Sequence, residues 1–163
     1  MRNVFVSYSH RLDQDDADNF RNKFGSFDRP NQMVFSDRSL ENMDIGYLSD
    51  DTIKDNYIRP KIRNSSVTIV LIGAETGKRW WIDWEIYYSM LKTNNNDRNG
   101  VLGILLPNKQ HSIPQRMLMN KEYCPIIEMP KYRDELELYI EVAYAKRSLV
   151  NPDLSMLLRS RNS

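Results

Sequence analysis

Two stretches, SVTIVLIG at positions 66 to 73 and GVLGILL at 100 to 106, restrict this chain more than anything else in it. Both are almost continuously apolar. A strand with one wet face alternates polar and apolar residues, so unbroken runs of this length belong to strands covered on both faces, as in a parallel sheet. Parallel neighbours cannot be joined by a tight turn and need crossovers, usually helical and right-handed. Three more runs read as strands: NVFVSY (3 to 8), QMVFS (32 to 36) and a weaker PIIEM (125 to 129).

The gaps carry helical spacing. Phe20 and Phe24 lie four apart; Ile53, Tyr57, Ile58 and Ile62 recur at helical intervals, as do Ile82, Ile86, Tyr87, Met90 and Leu91. After the fifth run, Leu136, Leu138, Ile140, Val142 and Ala143 predict a long helix that Asn151 and Pro152 end. The order β-α-β-α-β-α-β-loop-β-α predicts an α/β fold: a flavodoxin-like open parallel five-stranded sheet, strand order 2-1-3-4-5, with helices on both faces. With 163 residues one domain suffices, expected over 1–150, with 151–163 a C-terminal tail or short fraying helix.

Composition narrows the function classes. Basic and acidic residues nearly cancel, 23 against 22, so no global field favours nucleic acid or an anionic membrane. One cysteine, Cys124, cannot form an internal disulfide, and the opening MRNVFVSYSH lacks a signal-peptide pattern, so a cytoplasmic home is expected. No apolar run approaches the ~20 residues of a membrane span, and a soluble protein is expected. The only histidines are His10 and His111, without clustered ligand spacing, so no metal site is expected. KTNNNDRNG reads as a solvated connection.

In sheets of this order, ligands lie beyond the carboxyl ends of the strands, where the order reverses between strands 1 and 3. SYSHRLD and GAETGKRWW follow those strands, and the polar DRSLENMDIGYLSDD after strand 2 suits a mobile loop flanking the cleft. GAETGK is not a phosphate-binding loop, because its glycines are too close and Arg79 stands where a hydroxyl is needed. In RWWIDWEI, positions 79 to 86, Trp81 and Glu85 share a helical face, Trp84 marks a neighbouring one, and Trp80 and Trp81 sit near the helix start. An acid against indole rings acts strongly on nearby positive charge, since an apolar wall lowers the local dielectric. Spacing equally fits a plainer arrangement in which the tryptophans plug the sheet and Glu85 pairs with Arg79 or Lys92. Asp83, two residues from Glu85, points elsewhere, which disfavours a paired-carboxylate glycosidase. His10 can touch phosphate or be an exposed loop residue. Cys124 reads as a packed, inert thiol, and Arg59, Lys61 and Arg63 as a solvated basic face.

VFVSYSH followed by an acidic helix, VFSDRS, and SSVTIVLIGAETGKRWWIDWEI together resemble the TIR-like family, and within it the bacterial branch containing the signal-producing subunit of the Thoeris anti-phage system. The likeness covers about positions 3 to 106. It implies a flavodoxin-like fold, NAD as substrate rather than cofactor, and a catalytic glutamate on the third helix, which lands on Glu85. It further implies cleavage of the nicotinamide–ribose bond through an oxocarbenium-like transition state, with re-closure of ADP-ribose into a cyclic signal read by a separate effector protein and self-association as a route to activation. Phe5, Tyr8, Trp80, Trp81 and Trp84 are candidate walls for the flat nicotinamide and adenine rings. Ser7 and Ser9, at the end of strand 1, and Asp37, after strand 2, match the region that lines the crevice in the family, although each residue type also caps turns. Two departures stand out: Gly73 occupies the place of a common serine, and the usual cysteine between tryptophan and glutamate is absent. The rival reading is a non-catalytic scaffold in which the loop at 37 to 51 is adhesive. A response-regulator-like receiver fits less well, because strand 1 lacks the acidic pair at its end.

Overall fold

The computed structural model describes residues 2–25, 35–37, 48–94 and 97–161. Five strands run parallel in one sheet: β1 (Arg2–Ser7), β2 (Phe35–Asp37), β3 (Val67–Ile72), β4 (Gly100–Leu105) and β5 (Ile126–Glu128), in the order β2-β1-β3-β4-β5. Every residue of β3 is buried. That is the two-sided coverage demanded by its unbroken apolar run.

On one face lie α1 (His10–Phe24) and α6 (Arg133–Leu149), whose Ala17, Phe20, Phe24, Leu136, Ile140 and Ala143 pack on Val4, Val6, Ile69, Leu71, Leu102 and Ile104. The approach of α6 to β4 is close enough to require Gly100, since a Cβ there would stand 2.2 Å from the Ala143 carbonyl oxygen. On the other face lie α4 (Trp80–Met90) and the short α5 (Gln115–Leu118), with Ile82, Ile86, Met90 and Met117 over Val70, Ile72 and Val101. A 3-10 turn (Thr76–Lys78) links β3 to α4.

Between β2 and β3 the chain forms α2 (Asp50–Thr52), a π-helical turn (Ile53–Ile58) and α3 (Arg59–Arg63) in unbroken succession. Ser49 caps the start, its hydroxyl accepting from Thr52 N at 3.2 Å. Pro60 explains the wide turn before it: proline has no N–H to donate and its ring crowds the carbonyl four residues back. Ile53, Ile58 and Ile62 from this run pack on Trp84. As a result α4 is covered on nearly all sides, unlike a surface helix with one apolar stripe.

The tail differs from the fraying helix that the sequence allows. Residues 151–161 carry no helix and lie as an irregular segment against α4 and α5. Arg116 and Asn120 account for this: their side chains hold the carbonyls of Met156, Leu157 and Asp153, satisfying backbone groups that a helix would have paired internally. Residues 38–47, most of the loop read as a lid or an adhesive surface, lie outside the described residues.

Candidate active site

The site is built where the strand order reverses, between β1 and β3. Alternation along β1 sends Val4 and Val6 to the α1 and α6 face, leaving Phe5 and Ser7 to the face that carries α4. Glu85 comes from the middle of α4 and is 8% exposed. It is held at backbone level by a polar chain. The Asn99 amide donates to Thr68 Oγ1 at 3.2 Å, Thr68 and Ser89 hydroxyls meet at 2.7 Å, and the Ser89 hydroxyl donates to the Glu85 carbonyl at 2.7 Å. Ser89 has one proton, so its donation to Glu85 makes Thr68 the donor between the two hydroxyls, and all three links point one way.

The carboxyl itself is poorly satisfied. Oε2 of Glu85, Oγ of Ser7, Oγ of Ser9 and Nδ1 of His10 are all buried without a hydrogen-bond partner among the described residues. Burial pushes the Glu85 carboxyl up to about 7, with the positive charge of Lys61 and the facing Ser7 hydroxyl pulling the other way. Ser7 therefore faces the carboxyl while neither of these two oxygens completes a strict hydrogen bond. Ser9 stands at the N-cap position of α1, but its side chain makes no cap bond; its carbonyl accepts from Asp13 N at 2.8 Å instead. Orphaned buried polar atoms are rare and call for a partner. Of these four atoms, the Ser7 hydroxyl and the Glu85 carboxyl are the two that face each other, across β1 and α4.

Lys61 is the residue that sequence reasoning passed over. It was expected on a solvated basic face, yet its ammonium lies 5.6 Å from the centre of the buried Phe5 ring and acts on both Glu85 and His10. The only available signal was its spacing of one residue from Ile62, insufficient to say which side of the helix met the cleft. Burial, opposed by the Gln14 side chain and aided by the charges of Lys61 and Arg21, lowers the His10 imidazole below its ordinary value. The Tyr8 ring lies 4.2 Å from that of His10, tilted by 43°, and its hydroxyl donates to Gln14 Oε1 at 3.0 Å, so this buried aromatic is tied to α1.

The tryptophans divide. Trp81 leans on the cluster around Ile82 and Ile86, with Arg79 5.6 Å from its ring. Trp84 is buried beneath the tail and donates from Nε1 to the Arg159 carbonyl at 2.7 Å, while Trp80 meets it edge-on at 4.7 Å. Trp80 and Trp84 together line a cavity of about 660 Å³, of which Glu85 is not a lining residue. The ion pair with Arg79 that the plainer reading of Glu85 allowed is not formed: Arg79 pairs with Glu75, and no salt bridge of Glu85 exists among the described residues. Asp37 pairs through its backbone with Val4; its side chain lies outside the described residues.

Gly73 also gains a reason. A Cβ there would stand 2.5 Å from Oδ2 of Asp13, a fully buried carboxylate whose other oxygen accepts from Lys109 at 2.7 Å. Lys109 reaches Asp16 as well, at 2.6 Å, so the segment after β4 is clasped to the first turns of α1, beside the end of β3 at Gly73. A serine at 73 would collide with this clasp. Cys124 is buried and its thiol is pushed up to about 12 by burial, which leaves it unreactive at neutral pH.

Among the described residues no cluster of three or more His, Cys, Asp and Glu could hold a metal ion, and no helix is long and apolar enough to cross a membrane. No curated protein matches the chain. The chain does match the family of the Thoeris protein ThsB, TIR-like domain, over residues 5–111, which takes in the end of β1, the π-helical turn, Lys61, α4 with Glu85, and the Lys109 clasp. With more than half of its length matched and with a parallel α/β sheet that turns at β1 and β3, the chain belongs to the Thoeris ThsB TIR-like domain family.

Proposed function

We propose that this chain is an NAD-processing enzyme of anti-phage defence, cleaving the nicotinamide–ribose bond and re-closing the ADP-ribose as a cyclic signal for a separate effector protein. The observation that carries the reading is the buried Glu85 carboxyl at the topological break, with one oxygen unpartnered and the unpartnered Ser7 hydroxyl facing it. The family match supports the defence setting.

The chemistry follows from the surroundings of the acid. When the ribose C1′–nitrogen bond breaks, its electron pair leaves with nicotinamide, which becomes neutral, and positive charge moves onto the ribose. An ionised Glu85 in a low-dielectric wall stabilises that cation more than water would. In this reading Ser7 and Ser9 bond the ribose hydroxyls and Phe5, under the Lys61 ammonium, walls the ring. A hydroxyl of the same molecule, or water, then attacks C1′ and gives its proton to Glu85, whose affinity for protons near neutrality suits it to accept. Exclusion of water from the cleft decides between cyclic and linear products.

Incubating the full chain with NAD and resolving the products by mass spectrometry tests this. Loss of NAD with release of free nicotinamide, abolished by Glu85→Gln, is the expected result. NAD that survives under activating conditions, or equal consumption by the variant, favours the scaffold instead.

A further inference from the structure

The cavity of about 660 Å³ on the flank of α4 is lined by Asp50, Lys54, Trp80, Trp84, Arg159 and Arg161 among others. Its size falls within the roughly 300–1,000 Å³ of small-ligand sites. We propose that it is a second binding site, separate from the Glu85 cleft, for a flat aromatic anion of the nucleoside phosphate class.

Three cations face one carboxylate there, leaving a positive excess, and two indoles supply the apolar wall. The rings meet edge-on, at 4.7 Å and 65°, which spends one face of one indole and leaves the faces of the other outside this pair contact. Lys54 Nζ lies 4.9 Å from the Trp84 ring, and among the described residues it has no carboxylate partner. The Arg161 guanidinium lies 5.2 Å from the Trp80 ring and also ties the tail to Asp50 at 3.0 Å. Arg159 keeps its Nε buried and without a partner, while one of its terminal nitrogens donates to the Gly77 carbonyl at 3.1 Å. A base stacked on an indole with its phosphate among these cations would satisfy both halves at once.

The wall is fixed, not a loose flap. The segment carrying Arg159 and Arg161 is fastened by Arg116, which bonds the Met156 and Leu157 carbonyls at 2.9 and 3.0 Å, and by Asp83, which accepts from Arg159 N at 2.8 Å. A site built this way is preorganised and needs no closure to bind.

The test uses AMP, which has no nicotinamide bond to break and so reports on this site whether or not the chain processes NAD. Calorimetric titration of the full chain at low ionic strength is expected to give saturable AMP binding with quenched tryptophan emission. Affinity is expected to fall about tenfold in Lys54→Met and in Trp80→Leu, and to stay within about twofold in Ser7→Val. Lys54→Met alters a partly exposed side chain and keeps the test decisive if Trp80→Leu misfolds. The proposal is overturned by the absence of saturable binding up to millimolar AMP. It is equally overturned if inorganic phosphate binds as well as AMP, or if AMP binding is lost in Ser7→Val and kept in Lys54→Met.

Discussion

Asp83 and Glu85 stand two residues apart on one helix, are buried to nearly the same degree, and live opposite lives. Asp83 is saturated: Arg116 reaches both of its oxygens, at 2.8 and 3.2 Å, and Arg159 N adds a third bond at 2.8 Å. Glu85 keeps one oxygen without a partner and faces the unpartnered Ser7 hydroxyl. Desolvation is common to both; what separates them is whether the protein itself supplies the compensating donors. A carboxylate with its partners built in holds structure together. One left short of partners is available to something that arrives.

The sharpest way to break this contrast is to neutralise each acid in turn. Glu85→Gln is expected to lower NAD turnover by about a thousandfold, roughly 4 kcal/mol of transition-state stabilisation, with the fold retained by circular dichroism. Asp83→Asn is expected to do the reverse in kind. It leaves the Arg116 guanidinium buried without its counter-charge, which costs about 3 kcal/mol of stability in denaturant unfolding and loosens the tail. If Asp83→Asn instead unfolds no more easily than the parent, the assignment of Asp83 to structure is wrong.

The same contrast predicts a pH signature of nearly the same size. The folded Glu85 carboxyl lies at about 7 against 4.5 for an ordinary glutamate, so the folded state holds its proton more tightly than the unfolded chain. Its contribution to stability is complete below pH 4.5 and is lost as pH rises to about 7, some 3 kcal/mol in all. Glu85→Gln is therefore expected to be more stable than the parent at pH 8 and equal to it near pH 4, measured by urea unfolding at both values. In the proposed reaction the sign is opposite, because only the ionised acid would stabilise the cation: kcat/KM for NAD is expected to fall below pH 7.

A smaller effect sharpens the comparison from the side of positioning. Thr68→Val breaks the chain from Asn99 to the Glu85 carbonyl and is expected to cost about 1 kcal/mol of stability and about tenfold in kcat, with KM little changed. Smallest of all, Cys124→Ala is expected to leave NAD turnover within about twofold, since the thiol is held protonated away from the cleft. A large loss there would place chemistry where the structure has only packing.

Legibility in the sequence followed physical cause. Runs 66 to 73 and 100 to 106 announced central strands because two-sided burial leaves a mark on every residue. Glu85 was singled out through likeness to a family, since helical spacing alone left it free to pair with Arg79. Lys61 was hidden because a lysine on a helix reads the same whether its head meets water or leans over a buried ring. Which tryptophan meets which neighbour was open in the sequence; a helix spreads positions 80, 81 and 84 around its circumference, and the tail and the π-helical turn decided the neighbours of Trp80 and Trp84.

By itself the amino-acid order determined the parallel sheet, its crossovers and the helix that bears the acid, since periodicity and apolar runs are local and survive in one dimension. Only tertiary structure decided which carboxylate was satisfied and which was not. Arg116 lies 33 positions from Asp83 and Arg159 lies 76, while Ser7 meets Glu85 across the whole first half of the fold. Hydrogen-bond satisfaction is a property of neighbours in space, and no reading along the chain can count them.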